Sequence, residues 1–311
     1  MNDIAPFFSI VTITFNSENW VRHTIKSILS SSFSDFELLI SDDYSTDGTW
    51  HIISEFNDSR IRAWRNENNI GEYPNRNKTL NIARGKYIFY IDGDDILYKQ
   101  TLFNIHNYLI AFPQAGMVWG VPQPDFIVFP FQFSSYQICR IEYLSCYYWS
   151  MIGFPETIFK TELLKKHGGF DERFAIGDYF IKRKLALHSP VLVVNKGFAF
   201  WRIREGQASQ NVSKNYRFLI EQFMIDEIIL NSDSFPLKGN EYKKALSIFK
   251  FRTVINIINN TLKKGKVISF VRLFIKLKLK LSDLFYVLNR SYKFDKFNRN
   301  GVTPFYNEYN F

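Results

Sequence analysis

Apolar positions follow two alternating rhythms along the first third of the chain. Phe8-Ser9-Ile10-Val11-Thr12-Ile13-Thr14 and Phe36-Glu37-Leu38-Leu39-Ile40 are β-rich runs closed by polar turns, which predicts buried strands. Between them Trp20, Val21, Thr24, Ile25, Ile28 and Leu29 recur at three and four, the stripe of a helix that Ser17 or Glu18 can start. The alternation repeats. The turn Ser45-Thr46-Asp47-Gly48-Thr49 has capping chemistry and leads into a helix bearing Trp50, Ile53 and Phe56. A short strand Ile61-Arg62-Ala63-Trp64, a polar loop, a helix from Asn75 to Ala83 and the run Tyr87-Ile88-Phe89-Tyr90-Ile91 complete the pattern. Strand and helix in strict succession predict a doubly wound α/β layer.

Further on, Leu102, Ile105, Leu109 and Ile110 predict a helix ending near Phe112-Pro113, and Met117 to Val121 a strand. From Pro122 to Tyr148 aromatic residues recur without a period, which predicts irregular loops. Core packing is the favoured role for each of Trp119, Tyr136, Tyr147, Tyr148 and Trp149, with stacking on a sugar ring as the rival. Thr161 to His167 reads as a helix, and Asp178 opens another that carries Phe180, Ile181 and Leu185. After Asn211 the pattern is helical, with segments at 216–230, 242–262 and 267–288. In the last, Phe270, Phe274, Leu277, Leu281, Leu284 and Leu288 share one face flanked by Arg272, Lys276 and Lys280. Ile275 to Leu281 also alternates with period two, so an edge strand competes there.

Charge divides the chain in two. Residues 1–210 hold 21 Lys+Arg against 22 Asp+Glu, while residues 211–311 hold 18 against 8, so the whole net charge of +9 belongs to the tail. We therefore expect an α/β domain over residues 1–210 and a basic, mainly helical C-terminal extension over 211–311. The extension suits an anionic membrane surface through 262–290, with docking on the catalytic domain or on a second copy of the chain as the competing reading. No recognised nucleic-acid-binding motif accompanies the basic residues, so nucleic acid is not expected as a partner. Two cysteines, Cys139 and Cys146, and the absence of a leader-like or membrane-spanning run predict a cytoplasmic protein, peripheral on the inner face of the membrane if the tail binds there.

The candidate chemistry lies where the strands end. Thr14, Asn16 and Glu18 follow the first strand, Asp42 and Asp43 the second, and Asp92, Gly93, Asp94 and Asp95 the fourth, all at what should be one edge of the sheet. Carboxylates on the first two edges suit the N–H and hydroxyl donors of a base and ribose. Three anions within four residues on the last edge call for a counter-charge, and a divalent cation bridging two phosphates supplies one. No dinucleotide or P-loop glycine motif follows the first strand.

The runs Ser9 to Asn16, Asp35 to Thr49 and Gly85 to Asp95 resemble the family 2 glycosyltransferases of GT-A fold, and the resemblance covers roughly residues 7–210. It implies a Rossmann-like mixed sheet and inverting transfer from a nucleotide-diphosphate sugar, UDP-linked above all, to a glycan or lipid-linked acceptor. By that likeness Asp43 would bind the base with support from Asp42, and Arg76 would lie near the phosphates or sugar. Asp92 and Asp94 would hold Mg2+ or Mn2+, Asp178 would be the catalytic base, and Arg204 would sit in a segment closing over the diphosphate. Tyr44, Ile13 and Gly177 stand where the family often has glycine, proline and glutamate. Two other readings compete: a phosphotransferase or phosphatase with Asp92 as nucleophile, and a sugar-nucleotide-binding protein without catalysis.

Overall fold

The computed structural model describes residues 5–124, 127–145, 147–203, 216–280 and 283. Two compact units emerge: Met1–Ser134 with Trp149–Arg173 and Gly177–Glu205, and Ser135–Tyr148 with Phe174–Ile176 and Gly206–Phe311.

The first unit alternates as its sequence predicts: β1 (Phe8–Thr14), α1 (Val21–Leu29), β2 (Phe36–Asp42), α2 (Thr49–Ser54), β3 (Ile61–Arg65), α3 (Glu72–Ile82) and β4 (Tyr87–Tyr90). It continues through β5 (Ile96–Leu97), α4 (Thr101–Ala111), β6 (Met117–Val121) and β7 (Phe131–Phe133). After α5 (Ser135–Leu144), which belongs to the second unit, come β8 (Thr157–Lys160), α6 (Thr161–Lys166), α7 (Gly177–Ala186), β9 (Val191–Asn195) and β10 (Ala199–Phe200).

Among the described residues eight strands form one mixed sheet in the order β3-β2-β1-β4-β8-β6-β9-β7. β1, β2, β3 and β4 run parallel, whereas β8 is antiparallel to both β4 and β6. β1 and β2 lie inside the sheet and bury almost every side chain, which is why they read as continuous apolar runs. Their neighbour β3 is less covered and mixes polar with apolar positions. Phe8, Ile10, Ile25, Leu38, Ile40, Phe89 and Val118 belong to the main core, each fully buried branched or aromatic side chain contributing about 1.5–3 kcal/mol relative to exposure. A separate two-stranded ladder pairs β5 with β10, Leu97 opposite Ala199.

Pro122 to Tyr148, expected to be irregular, contains β7 and α5. The helix was hidden because it is buried almost all round: Gln137, Glu142 and Tyr143 are covered along with Ile138, Cys139, Ile141 and Leu144, so no polar face marks its period. Trp119 and Trp149 are core residues.

In the second unit, α8 (Arg217–Leu230), α9 (Gly239–Asn260) and α10 (Val267–Lys276) follow. Tyr143 donates to Asp226 at 3.2 Å, Tyr136 donates to Glu241 at 2.9 Å, and Arg252 of α9 donates to the Glu142 carbonyl at 2.9 Å and to that of Ser145. Residues 267–276 are helical, so the edge-strand reading fails over its first residues; Leu281, Leu284 and Leu288 lie outside the described residues. Among the described residues no helix is long and apolar enough to cross a membrane.

Candidate active site

Parallel register brings the strand tips together. Thr14 stands opposite Asp42, the Asp43 N–H donates to the Thr14 carbonyl at 2.8 Å, and the Gly93 N–H donates to the Ile13 carbonyl at 3.1 Å. Gly93 is required by this closeness: a Cβ there would lie 2.5 Å from Thr14 Oγ1 and 2.7 Å from Thr14 Cβ.

The loops that follow β1 and β2 hold one another. Asn16, at φ 49°, accepts from the Thr46 N–H at 2.8 Å through its side chain, and Glu18 accepts from the Gly48 N–H at 2.8 Å. Asp42 is fully buried; burial pushes its carboxyl up, opposed by donors from Ser45 and by the Arg65 guanidinium 3.3 Å away. Asp43 accepts from Asn66 at 2.8 Å, from the Ile70 N–H at 3.0 Å and from the Gly71 N–H at 2.9 Å, so it shapes the loop between β3 and α3. Tyr44 takes φ 66°, a left-handed backbone that glycine adopts freely, with Arg65 over its exposed ring.

At the acidic tip Arg76 supplies the counter-charge. Its Nη2 donates to Asp92 Oδ1 at 2.8 Å, to Asp92 Oδ2 at 3.0 Å and to Glu72 at 3.0 Å, while its guanidinium lies 3.7 Å from the centre of the Phe154 ring. Burial disfavours the Arg76 charge, but Asp92 and Glu72 together hold the guanidinium firmly protonated. Burial also raises Asp92, the Asp94 and Asp178 carboxylates adding to the effect and Arg76 opposing it. Asp95 is pushed up to about 8, first by burial and then by Asp92. One of its oxygens accepts from the Arg202 N–H at 3.1 Å, its carbonyl accepts from Thr24 at 2.8 Å, and Arg202 Nε donates to the Asp94 carbonyl at 3.0 Å.

Asp178 lies in the first turn of α7, and its carboxylate meets Tyr73 of α3, the helix whose Arg76 holds Asp92. Lys182, one turn along and buried, donates to Asp178 Oδ2 at 3.0 Å and also to the Ile152 carbonyl. Tyr73 donates to Asp178 Oδ1 at 3.5 Å and accepts from the Asp178 N–H at 3.3 Å. A Cβ on Gly177 would come within 3.1 Å of both the Tyr73 ring and the Asp171 carbonyl, so a side chain there would press on the tyrosine that meets Asp178.

Among the described residues no group of three or more His, Cys, Asp or Glu could hold a metal by itself. Asp92 and Asp94 still fit a hard divalent cation, because Mg2+ sites of this kind use one or two carboxylates and complete themselves with substrate phosphate oxygens. Around the tip, Thr14 Oγ1, Asp95 Oδ2 and Arg76 Nη1 are buried without a hydrogen-bond partner among the described residues, an unspent polar lining. Arg204 lies outside the described residues. Sequence reasoning missed Glu72, Tyr73, Phe154, Lys182 and Arg202. The Glu72/Arg76 and Asp178/Lys182 pairs were legible as opposite charges four apart on helices, whereas Tyr73 and Asp178 are 105 positions apart and left no signal.

Relatives bear on this arrangement. The chain is 40% identical over 101 residues to the Escherichia coli UDP-Glc:alpha-D-GlcNAc-diphosphoundecaprenol beta-1,3-glucosyltransferase WfaP, covering 32% of this chain and 40% of that one. With the Bacillus subtilis putative teichuronic acid biosynthesis glycosyltransferase TuaG it shares 36% over 104 residues, 33% of this chain and 41% of that one. It thus spans about two fifths of the length of either. An uncharacterized glycosyltransferase of Methanocaldococcus jannaschii is 26% identical over 80% of this chain and 79% of its own. Among solved structures, Staphylococcus aureus TarS 1–349 in complex with UDP-GlcNAc superposes with a TM-score of 0.65 at 24% identity, over 91% of this chain and 78% of that one. The mannosyltransferase PcManGT from Pyrobaculum calidifontis in complex with GDP-Man and Mn2+ gives 0.60 at 15%, over 97% and 81%. These likenesses show the GT-A fold. The model described as Glycosyl transferase family 2 matches residues 9–186, from the second residue of β1 to the end of α7, and so takes in the strand tips, Arg76 and Asp178: the chain belongs to glycosyl transferase family 2.

Proposed function

We propose that this chain is an inverting glycosyltransferase that moves a sugar from a nucleotide-diphosphate donor, UDP-linked, to a hydroxyl of a glycan or lipid-linked glycan. The observation that carries the reading is that one helix, α3, contacts Asp178 of α7 through Tyr73 and Asp92 at the end of β4 through Arg76. Thr14, Asn16, Glu18, Asp42 and Asp43 border the place for the nucleoside. Gly93 lets the acidic tip pack directly against Thr14 of β1, which keeps the two edges of the donor site together. Asp178 takes the proton from the acceptor hydroxyl as that oxygen bonds to the anomeric carbon, and the bond from that carbon to the diphosphate oxygen breaks with its electron pair leaving on the diphosphate. Attack from the face opposite the leaving group inverts the centre. A divalent cation, Mg2+ or Mn2+, would be held by Asp92 and Asp94 and would supply neutralisation of diphosphate charge. A lipid-linked acceptor accords with the similarity to WfaP, a UDP-Glc:alpha-D-GlcNAc-diphosphoundecaprenol beta-1,3-glucosyltransferase.

The test is release of nucleoside diphosphate from a panel of UDP-, GDP- and dTDP-sugars, with Mg2+ or Mn2+ and with chelator. Cation-dependent release that falls about 100-fold or more in Asp178→Asn while donor binding persists is expected. Phosphomonoester hydrolysis in place of transfer, or full turnover by Asp178→Asn, overturns the reading.

A further inference from the structure

The helix α10 carries two apolar faces, and the structure separates them. Leu273 and Leu277 turn inward onto Ile257, with Phe270, Tyr216, Ile220, Phe223 and Leu279 packed around them. This is the face whose spacing alone pointed toward lipid, and it is spent on the helical unit. Val267, Ile268, Val271 and Ile275 lie instead on an outward stripe, 59, 72, 48 and 70% exposed. At about 100° per residue these four fall within one arc of about 100°, with Arg272 and Lys276 along one side.

Along the chain, the charge flanking that stripe has a single sign. Residues 262–280 hold seven Lys or Arg, all of them exposed, and no Asp or Glu. The next carboxylate, Asp283, is engaged by Lys250 at 3.1 Å and by the Lys280 N–H at 2.9 Å. We infer that the outward stripe of α10 is a docking surface for a lipid bilayer bearing anionic headgroups. The branched side chains enter the headgroup boundary while Lys263, Lys264, Lys266, Arg272 and Lys276 meet the lipid phosphates. Charge selects this occupant. A second copy would bring a second cationic face against the first, and residues 284–311, with four Lys+Arg against two Asp+Glu, offer no complementary charge. A helix this short with four exposed apolar side chains binds reversibly, so its grip depends on both contributions acting together.

The surface deepens the proposed function, because a lipid-linked acceptor is met in the plane of the membrane. Its test uses neither donor nor acceptor, so failure here leaves the transferase assay standing, and the converse holds. The full-length chain is sedimented with vesicles of phosphatidylcholine alone and of phosphatidylcholine mixed with phosphatidylglycerol. Binding to the anionic vesicles only, reversed by salt, is expected. Ile268→Glu with Ile275→Glu should lower the partition about tenfold or more. Lys263→Gln, Lys264→Gln and Lys266→Gln should lower it by up to about fivefold per charge removed. Light scattering without lipid accompanies each protein. Failure of the unaltered chain to bind anionic vesicles, binding unchanged in both variants, or a dimer that the glutamate pair converts to monomer without altering sedimentation would overturn the assignment.

Discussion

Tyr73 and Arg76 stand three residues apart on one face of α3, and through them a single helix touches both Asp178 and Asp92. The helix rises about 1.5 Å per residue, so the two side chains leave it about 4.5 Å apart along its axis. Neither carboxylate can shift far without disturbing the same rigid element.

Tyr73→Phe keeps the ring against Gly177 and removes only the hydroxyl that meets Asp178. Transfer should slow by roughly tenfold, the low end for a hydrogen bond to a charged group because the contact is long, with KM for the donor little changed. Unaltered kcat in steady-state kinetics would make Tyr73 a packing residue only.

Arg76→Met leaves Asp92 and Glu72 without their shared cation. We expect a loss of about 3 kcal/mol in urea unfolding, at the lower end for breaking a buried pair because Asp92 is about one-third exposed. Asp92→Asn, which keeps a neutral acceptor for the guanidinium, should cost less. The reverse ranking would show that the ion pair does not hold the tip.

Gly93→Ala forces a Cβ into Thr14, so the acidic tip must move away from β1. Destabilisation of about 1–3 kcal/mol is expected, with weaker donor binding by calorimetry. Donor affinity equal to that of the unaltered chain would show that the approach of the tip to β1 is immaterial to the site.

Glu156 accepts from the Gly197 N–H at 2.9 Å, yet burial pushes its carboxyl up to about 7. Its folded value lies above the ordinary 4.5, so the folded state binds the extra proton between about pH 4.5 and about pH 7. Stability from this group is therefore full below that window and is lost as pH rises through about 7, by about 1–2 kcal/mol once solvent screening of the partly exposed carboxyl is allowed for. Glu156→Gln should remove this slope, so its urea midpoint should gain on the unaltered chain between about pH 5 and about pH 8. Parallel pH profiles for the two proteins would contradict it.

The sheet was legible because β1, β2, β4 and β6 are apolar runs cut off by polar turns, and β1 was bounded to the residue. The convergence of Thr14, Asp42 and Asp92 followed from parallel order alone. What stayed hidden was contact between distant positions. Nothing near Asp178 announces Tyr73, and α5 has no polar face to give it a period. For α10 the spacing was right about the helix, but its apolar residues face two ways. Periodicity ranks side chains by angle; it does not say which angle the neighbouring helices cover.

The β5–β10 ladder ties the acidic tip to chain about a hundred positions later, and the tie continues from the Arg202 N–H to the Asp95 side chain and from Arg202 Nε to the Asp94 carbonyl. Half of each of those two bonds is main chain, and the ladder is wholly so. The tip is consequently preorganised before any ligand arrives, and the entropy lost on association falls mainly on the ligand's own rotors. Rigid sugar nucleotides should gain more at this site than flexible ones of equal contact area.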